Sequence, residues 1–363
     1  MERRRQFLTG AAGLAGLSVA GCTNIFESDE SDTGRDRTPT VAATVAENRG
    51  RQVYIPTHRD EMAMKGMAGA GDYRVGLMYT YPHQFWIVTG SETERVPFRD
   101  DDTVHLMTVV FDEATSTVLP IGAGVSVEIE RDGDLVVEKS PWPMISQSMG
   151  FHYGDNFALP GDGTYDVTVS LSSMNVRRFG EFGGTFEERA ETTFEMEYSD
   201  SERNDLEIRQ FENRQGDPGA VSMMDMGMMP LSRVPAPSDL PGRVVGEGAS
   251  GDATFVVSAV EEPPFVEGED SYLLVSPRTP YNRVPLPMMA LSATLESEAG
   301  TTFEGQLSAG IEPTAGYHYG AAVDGISSGD ELTITVDSPP QTSRHEGYET
   351  AFLDMDAVGL TLE

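Results

Sequence analysis

Apolar and polar residues alternate in short runs along most of the chain after residue 72. A period of two places successive side chains on opposite faces of a strand, so each run predicts a strand with one face in a core. The clearest runs cover residues 73–81 and 104–111, and turn sequences such as Pro-Gly-Asp-Gly at residues 160–163 separate the later ones. Many short strands with regular turns are typical of a sandwich, and Tyr165 after its turn resembles the corner of immunoglobulin-like domains. The pattern predicts an all-β protein built from immunoglobulin-like β-sandwiches.

The second half of this pattern repeats the first. Residues 126–154 align without a gap with residues 292–320, and both segments end in His-Tyr-Gly. The shared order of strand, turn and strand favours duplication. One inserted residue further along brings Arg178 opposite His345. We therefore predict two tandem sandwiches: a metal-binding one over residues 51–200 and a second, degenerate one over residues 251–363. A Met- and Pro-rich linker over residues 201–250 would separate them.

The first 50 residues follow a different pattern. Arginines at positions 3–5 precede an apolar run of small residues, and Val-Ala-Gly-Cys follows at positions 19–22. This order of basic, apolar and small residues is that of an export signal. The twin arginine resembles a Tat signal, and the last four residues resemble a lipobox. We expect residues 1–21 to be a Tat-type lipoprotein signal, Cys22 to carry the lipid, and residues 22–50 to be a disordered tether. The protein would then be anchored to the outer face of the membrane.

Charge narrows the choice of partners. The net charge is −34, from 59 acidic and 25 basic residues, and such a charge repels nucleic acid. Few lysines and many carboxylates indicate a halophilic protein, because salt screens the self-repulsion. Cys22 is the one cysteine, so the chain can form no internal disulfide. No Ser-His-Asp arrangement, phosphate loop or His-Glu-x-x-His motif is evident, so we expect a binding protein and not an enzyme.

The candidate chemistry consists of imidazoles and thioethers. Period two places His105 and Met107 on one face of a predicted strand. Met144 and His152 bound a short, Gly-punctuated loop that also contains Met149. Imidazole with thioether suits copper, particularly Cu(I), whereas an added carboxylate would admit a harder ion such as Fe(II). Each residue also has an ordinary interpretation, because a strand methionine is usually part of a core and a single histidine usually makes hydrogen bonds.

Two further stretches leave alternatives open. Residues 58–67 contain one histidine and three methionines and would form either a short helix or a loop. Five methionines at positions 223–229 would either hold Cu(I) loosely or form an adaptable apolar contact strip, and we favour the strip. His83 lies among aromatic residues at positions 81–86 that we expect to pack in the core or at an edge.

Three motifs stand out: Thr-Val-His-Leu at residues 103–106, Pro-Met at 143–144, and His-Tyr-Gly-Asp-Asn at 152–156. They resemble motifs of the periplasmic iron-transport family, and the chain as a whole resembles a haloarchaeal lipoprotein of that type. Members of that family are small immunoglobulin-like metal-binding proteins that act beside an iron permease. The resemblance covers roughly residues 73–198 and, more weakly, 253–363. It implies a copper site of two or three histidines, one methionine and a nearby glutamate, a role in iron uptake, and a homodimer.

Carried over by position, the resemblance implies that His105, Met144 and His152 are ligands. Met107 stands where the family has a carboxylate, and Met149 is an additional thioether in a longer loop. Arg178 falls at the position of the family's last histidine.

In the second copy, Ser271 aligns with His105 and Gly310 with Met144, whereas His318 is retained and His345 falls at the last position. If the two sandwiches pack as an intramolecular pseudo-dimer, His345 or His318 would complete or flank the first site. Otherwise the second sandwich would only contribute packing. The expected function is that of a metal-binding protein that passes iron or copper to a membrane transporter. The alternative is a surface structural or interaction protein without a metal.

Overall fold

The computed structural model describes residues 45–121, 124–263, 265–266 and 271–363. All of them belong to one compact unit, Arg37–Glu363. The predicted export signal, Cys22 and all of the tether before residue 45 lie outside the described residues. Within the part of the chain that is described, no helix is long and apolar enough to span a membrane.

The described residues are nearly all β, which confirms the fold class predicted from the alternating pattern. The strands are β1 His58–Asp60, β2 Ala63–Ala70, β3 Tyr73–Thr80, β4 Phe85–Thr89, β5 Glu92–Val96, β6 Val104–Asp112, β7 Thr117–Val118, β8 Val125–Arg131, β9 Asp134–Lys139, β10 Trp142–Ser146, β11 Gly150–Phe157, β12 Gly163–Leu171, β13 Arg177–Arg178, β14 Ala190–Tyr198, β15 Ile208–Gln210, β16 Arg243–Ser250, β17 Ala253–Glu261, β18 Ser271–Arg278, β19 Ala290–Ser297, β20 Gly300–Glu312, β21 Gly316–Val323, β22 Glu331–Ser338, β23 Ser343–Arg344 and β24 Val358–Thr361. The helical segments in the same residues are α1 Asp200–Asn204 and the 3-10 turns Gly180–Phe182 and Pro237–Asp239.

The two halves of the chain share one strand order. In the first half, one sheet runs β2-β3-β6-β11-β10 and the other runs β14-β12-β8-β9. In the second half, the corresponding orders are β16-β17-β18-β21-β20 and β24-β22-β19-β20. The long strand β20 takes part in both sheets, where the first half has the separate strands β9 and β10. A continuous apolar core includes Val127 and Val167 of the first half and Val257 and Ile334 of the second.

The two halves exchange short strands. Strand β23 of the second half pairs in parallel with β10, so that Ser343 lies opposite Met144. Strand β13 of the first half pairs in parallel with β20, so that Arg177 lies opposite Gly310. The residue after each short strand donates its N–H across the junction: His345 to Ile145 at 3.2 Å and Phe179 to Ile311 at 3.0 Å. Because of this exchange, His345 lies in the first half and Phe179 lies in the second half.

Three local expectations differ from the structure. Residues 58–70 form the strands β1 and β2, because β1 pairs with β15 and β2 with β3, so neither a helix nor a loop occurs there. The segment from Met144 to His152 is a β-hairpin in which these two residues lie opposite each other, not a loop. In the methionine strip, Met226 and Met229 are buried against the core, whereas Met228 is 85% exposed.

Candidate metal centre

Four imidazoles meet at the edge of the first half, and we call them the histidine cluster: His83, His105, His152 and His345. His105 lies on β6 and His152 on β11, His83 follows β3, and His345 follows β23. Ring centroids are 4.0 Å apart for His83 and His105, and 5.0 Å apart for His152 and His345. One ring nitrogen from each of His83, His105 and His345 lies within 4.8 Å of the others. The exchange of strands is what brings His345 to this place.

Protein oxygens fix the tautomers of three of these rings. His83 Nδ1 donates to the carbonyl of Tyr81 at 3.1 Å, and His152 Nδ1 donates to the carbonyl of Gly150 at 3.1 Å. A neutral imidazole has one N–H, so both rings present Nε2 as a lone pair. Hydrogen bonds of this kind on the far nitrogen also orient metal-binding histidines.

Asn156 fixes the third ring. Its amide nitrogen donates to the carbonyl of His83 at 2.9 Å, and its Oδ1 accepts the backbone N–H of His83 at 3.3 Å. The oxygen is thereby identified, so His105 Nδ1, 2.9 Å from it, is the donor. His105 Nε2 then carries a lone pair, and this buried atom has no hydrogen-bond partner among the residues that the structure describes. An unpaired nitrogen of this kind is costly in a protein interior and fits a metal ligand.

The fourth ring makes the cluster impossible to satisfy by hydrogen bonds alone. His345 Nδ1 lies 3.1 Å from Nε2 of His83, and His345 Nε2 lies 3.1 Å from Nε2 of His152. A neutral His345 donates one proton, but both partners present lone pairs. One of the two contacts therefore joins two lone pairs, and only an added cation, either a proton or a metal ion, would relieve it.

Burial works against the added proton. It lowers the pKa of His83 to about 3 and that of His152 to about 4. Burial also lowers the pKa of His345 well below its ordinary value, and the neighbouring imidazoles His83, His152 and His105 lower it further. Above these values the rings are neutral, which is the state that binds metal ions.

Met144 adds a thioether to the same space. It is fully buried on β10, directly opposite His152. A Cβ atom built on Gly154 would lie 2.6 Å from His105 Nε2 and 3.3 Å from Met144 Sδ. The absence of a side chain at Gly154 therefore leaves room for these two donor atoms to face one small space. Imidazole nitrogen together with thioether sulfur is a donor set that favours copper.

A side pocket of about 100 Å³ opens beside the histidine cluster. Its walls include His83 and His345 of the cluster, and also Met107 and Met149. Both methionines are buried and belong to the apolar core. The structure thus brings His105, Met144, His152 and His345 together and places Met107 and Met149 beside them.

His318 lies elsewhere, in the second half. We call its neighbours Phe179, Phe265 and Tyr272 the aromatic cluster. His318 Nδ1 donates to the carbonyl of Gly316 at 3.0 Å, and Nε2 lies 3.3 Å from the Tyr272 hydroxyl, which can donate to it. Both nitrogens of His318 are satisfied within the protein, so it neither completes nor flanks the histidine cluster.

The strand register corrects two residue equivalences. Gly310 takes the place of Met144, as the repeat predicts. On the neighbouring strand, however, Asn156 lies opposite His105, and Ala322, which corresponds to Asn156, lies opposite Tyr272. Tyr272, not Ser271, is therefore the counterpart of His105.

The second correction concerns the exchanged strands. Ile145 lies opposite Arg344, and Ile311 lies opposite Arg178. Phe179 is therefore the counterpart of His345, and Arg178 is not. Both errors are shifts of one residue, and in the corrected register Arg178 matches the identical residue Arg344.

His83 is the member of the cluster that the sequence did not indicate as a ligand. It lies just after β3, and its ring reaches the cluster because Asn156 holds its backbone N–H and carbonyl. Its ring nitrogen bonds back to Tyr81, two residues earlier. The sequence feature that could have indicated His83 as a site residue is its position directly after a proline, at the end of an aromatic-rich strand.

The fold and the cluster define an all-β protein of two related halves with a group of four imidazoles and one thioether. Of these, His105, His152 and Met144 are buried, whereas His83 and His345 are partly exposed. Residues 238–361 match a family described as "Domain of unknown function (DUF7350)". A search of curated proteins gives no match. Among solved structures, the chain is similar to FetP of uropathogenic E. coli strain F11, with 17% identity over 38% of this chain and 97% of that chain and a TM-score of 0.26. The geometry of the histidine cluster, and not these similarities, supports the function proposed below.

Proposed function

We propose that the protein binds copper in the histidine cluster and assists the uptake of iron or copper by a membrane transporter. The observation that supports this most directly is the position of His345 between two lone pairs, on His83 and on His152, at 3.1 Å each. No tautomer of a neutral His345 can pair with both. A metal ion between the two facing lone pairs removes the conflict because it accepts both of them, while the N–H of His345 donates to the remaining ring.

The residues fit copper. His83, His105 and His152 each keep Nδ1–H on a protein oxygen and present Nε2 as a lone pair. The N–H of His345 occupies the lone pair of either His83 or His152. Met144 contributes a sulfur on the side of His105, next to Gly154. Bound copper would be held by nitrogen and sulfur in a buried site, and the thioether favours Cu(I).

The proposed place of action follows from the sequence. A Tat-type signal over residues 1–21 and a lipid on Cys22 would hold the protein at the outer face of the membrane. The resemblance of residues 103–106 and 152–156 to the periplasmic iron-transport family points to an iron permease as the transporter. The protein would be a carrier of metal and not an enzyme.

Metal analysis of the purified mature protein tests this proposal. We expect close to one equivalent of copper after reconstitution, and its loss in the His152→Ala variant. His318→Ala is the matched control, because His318 is equally buried and makes the same bond to a glycine carbonyl. The control should retain the copper.

A separate substitution tests the thioether. Met144→Leu keeps the volume of the side chain and removes the sulfur. We expect weaker binding of Cu(I), with Met196→Leu as the control, because Met196 is equally buried but lies on β14 in the other sheet. Protein that stays free of metal after reconstitution, with every histidine present, would contradict the proposal and favour a structural or interaction protein.

A further inference from the structure

A second group of donor atoms lies on β1 and its continuation, across the side pocket from the histidine cluster. His58 and Asp60 are two residues apart on β1, so they share one face of the strand, and Met62 follows its end. All three contribute to the wall of the side pocket. The residue pattern of this stretch predicts no role for it, and the proposed copper site does not use it.

A chain of hydrogen bonds fixes the tautomer of His58. The Glu346 carboxylate accepts the backbone N–H of Ala46 at 2.8 Å and that of Thr57 at 3.1 Å. It also accepts the Thr57 hydroxyl proton at 2.6 Å. Since a hydroxyl has one proton, Thr57 Oγ1 can only accept from His58 Nδ1, which lies 2.8 Å away. His58 Nε2 is therefore a lone pair, oriented through Thr57 by a carboxylate, as metal-binding histidines often are.

Asp60 faces that lone pair. Asp60 Oδ1 is buried and accepts no hydrogen bond from any residue in the described ranges. It lies 3.6 Å from His58 Nε2, and the two side chains are only 8% and 10% exposed, respectively. This separation is too long for a hydrogen bond. The structure therefore holds these two atoms close together without a hydrogen bond between them.

The separation suits a shared ion. With metal–ligand bonds of about 2.1 Å to each atom, donors 3.6 Å apart subtend an angle of about 118° at the ion. That angle lies near the values of tetrahedral and trigonal sites. Met62 lies in the wall of the same pocket and offers a thioether as a further ligand.

We propose that His58 and Asp60, assisted by Met62, form a second metal site in the side pocket. Its carboxylate makes it harder than the histidine cluster, so it would take a divalent first-row ion such as Fe²⁺ where the cluster takes copper. The site stands on its own contacts, and the pocket shared with His83 and His345 places it beside the proposed copper site.

Anaerobic calorimetric titration with Fe²⁺ tests the second site in the full mature chain. The titration uses the His345→Phe variant, which disables the histidine cluster and keeps His58, Asp60 and Met62. We expect one equivalent of Fe²⁺ to bind. Asp60→Asn in this background should abolish that equivalent, and Thr57→Val should weaken it about 10- to 100-fold by freeing the His58 ring. Asp205→Asn removes the same charge from an exposed position and should change nothing.

The outcomes separate the two proposals. Loss of copper in His345→Phe with retained Fe²⁺ supports both sites, whereas absence of copper in the unmodified protein with retained Fe²⁺ contradicts only the first. Failure to bind Fe²⁺, or an undiminished equivalent in Asp60→Asn, would overturn the second site and leave His58 and Asp60 as a buried polar pair. If Asp60→Asn does not fold, as judged by circular dichroism, His58→Gln takes its place in the same comparison.

Discussion

The histidine cluster and the aromatic cluster occupy equivalent positions in two halves with the same strand order. Each contains a buried histidine whose Nδ1 donates to a glycine carbonyl two residues earlier, His152 to Gly150 and His318 to Gly316. Both glycines have positive φ, 77° and 67°. The same bond and the same glycine conformation occur in the half without an imidazole cluster, so the His-Tyr-Gly motif does not by itself indicate a metal.

The surroundings of the two histidines differ. Around His318, the counterparts of His105 and His345 are Tyr272 and Phe179. A Cβ on Gly310, the counterpart of Met144, would lie only 2.6 Å from a ring carbon of Phe179, so that ring fills the space of the missing thioether. One half holds donor atoms without partners, and the other holds rings that pack. Under the proposed function, the exchanged residue and the residue on the central strand are therefore expected to decide whether a half of this fold binds a metal.

The largest effect is expected from a single substitution that gives the first half the residue found at the equivalent position of the second half. His345→Phe reproduces the residue found at Phe179 and removes the ring between His83 and His152. We expect copper affinity to fall by more than the roughly 10- to 100-fold that loss of an outer-shell partner costs. Competition with a copper chelator measures this change. Phe179→Leu changes the other exchanged segment and should lower stability but leave copper bound; equal copper loss in both variants would contradict the comparison.

The next effect is on acid stability of the metal-free protein. Burial holds the pKa of His152 near 4, whereas the unfolded chain binds its proton near 6.5. The stability that this neutral ring contributes is fully present above pH 6.5 and is lost as the pH falls from 6.5 towards 4. Each such ring contributes a slope that approaches about 1.4 kcal/mol per pH unit. Urea unfolding at pH 7 and pH 5 should show this loss.

His345→Phe sharpens the pH experiment. It removes one buried imidazole whose pKa is lowered by burial and by its neighbours. The loss of stability between pH 7 and pH 5 should be smaller in this variant than in the unmodified protein. An identical loss in both proteins would show that the ring of His345 takes up a proton in the folded state.

A smaller effect is expected from a matched pair of glycine substitutions. In Gly154→Ala, the new Cβ would lie 2.6 Å from His105 Nε2, and in Gly320→Ala it would lie 2.4 Å from the Tyr272 hydroxyl. Overpacking of this kind costs about 1–3 kcal/mol in either half. Only Gly154→Ala should also weaken copper binding, because only there does a donor atom move. Thermal melts with and without copper measure both changes, and equal behaviour with copper would refute the distinction.

The fold and part of the cluster could be predicted from the sequence. Period-two alternation predicted the all-β class, because one strand face must be buried and the other exposed. His105, Met144 and His152 are brought together by neighbouring strands, and their motifs carried the resemblance to a metal-binding family. These contacts depend on strand pairing within one half, which local sequence specifies well.

The rest depends on contacts that local pattern does not encode. His345 reaches the cluster only because β23 crosses to the other half, and the sequence left that packing as one of two alternatives. His83 depends on how the chain turns after β3 and on its bonds to Asn156. The pairing of His58 with Asp60 depends on a hydrogen-bond chain through Thr57 to Glu346, nearly 300 residues away. Such long-range contacts are set by tertiary packing and leave no period in the sequence.

The smallest expected effect is a gain of function in the second half. Phe179→His with Tyr272→His would place three imidazoles around the space beside Gly310, since His318 is already there. Without a thioether, we expect weak copper binding, detectable in a His345→Phe background where the first site is disabled. A folded variant that binds no copper would show that imidazoles at these positions are insufficient, and that Met144 or His83 is required as well. Adding Pro263→His would then separate those two explanations, because residue 263 is close to the position that corresponds to His83. If a fourth imidazole restores binding, the missing ring and not the missing sulfur explains the weak binding.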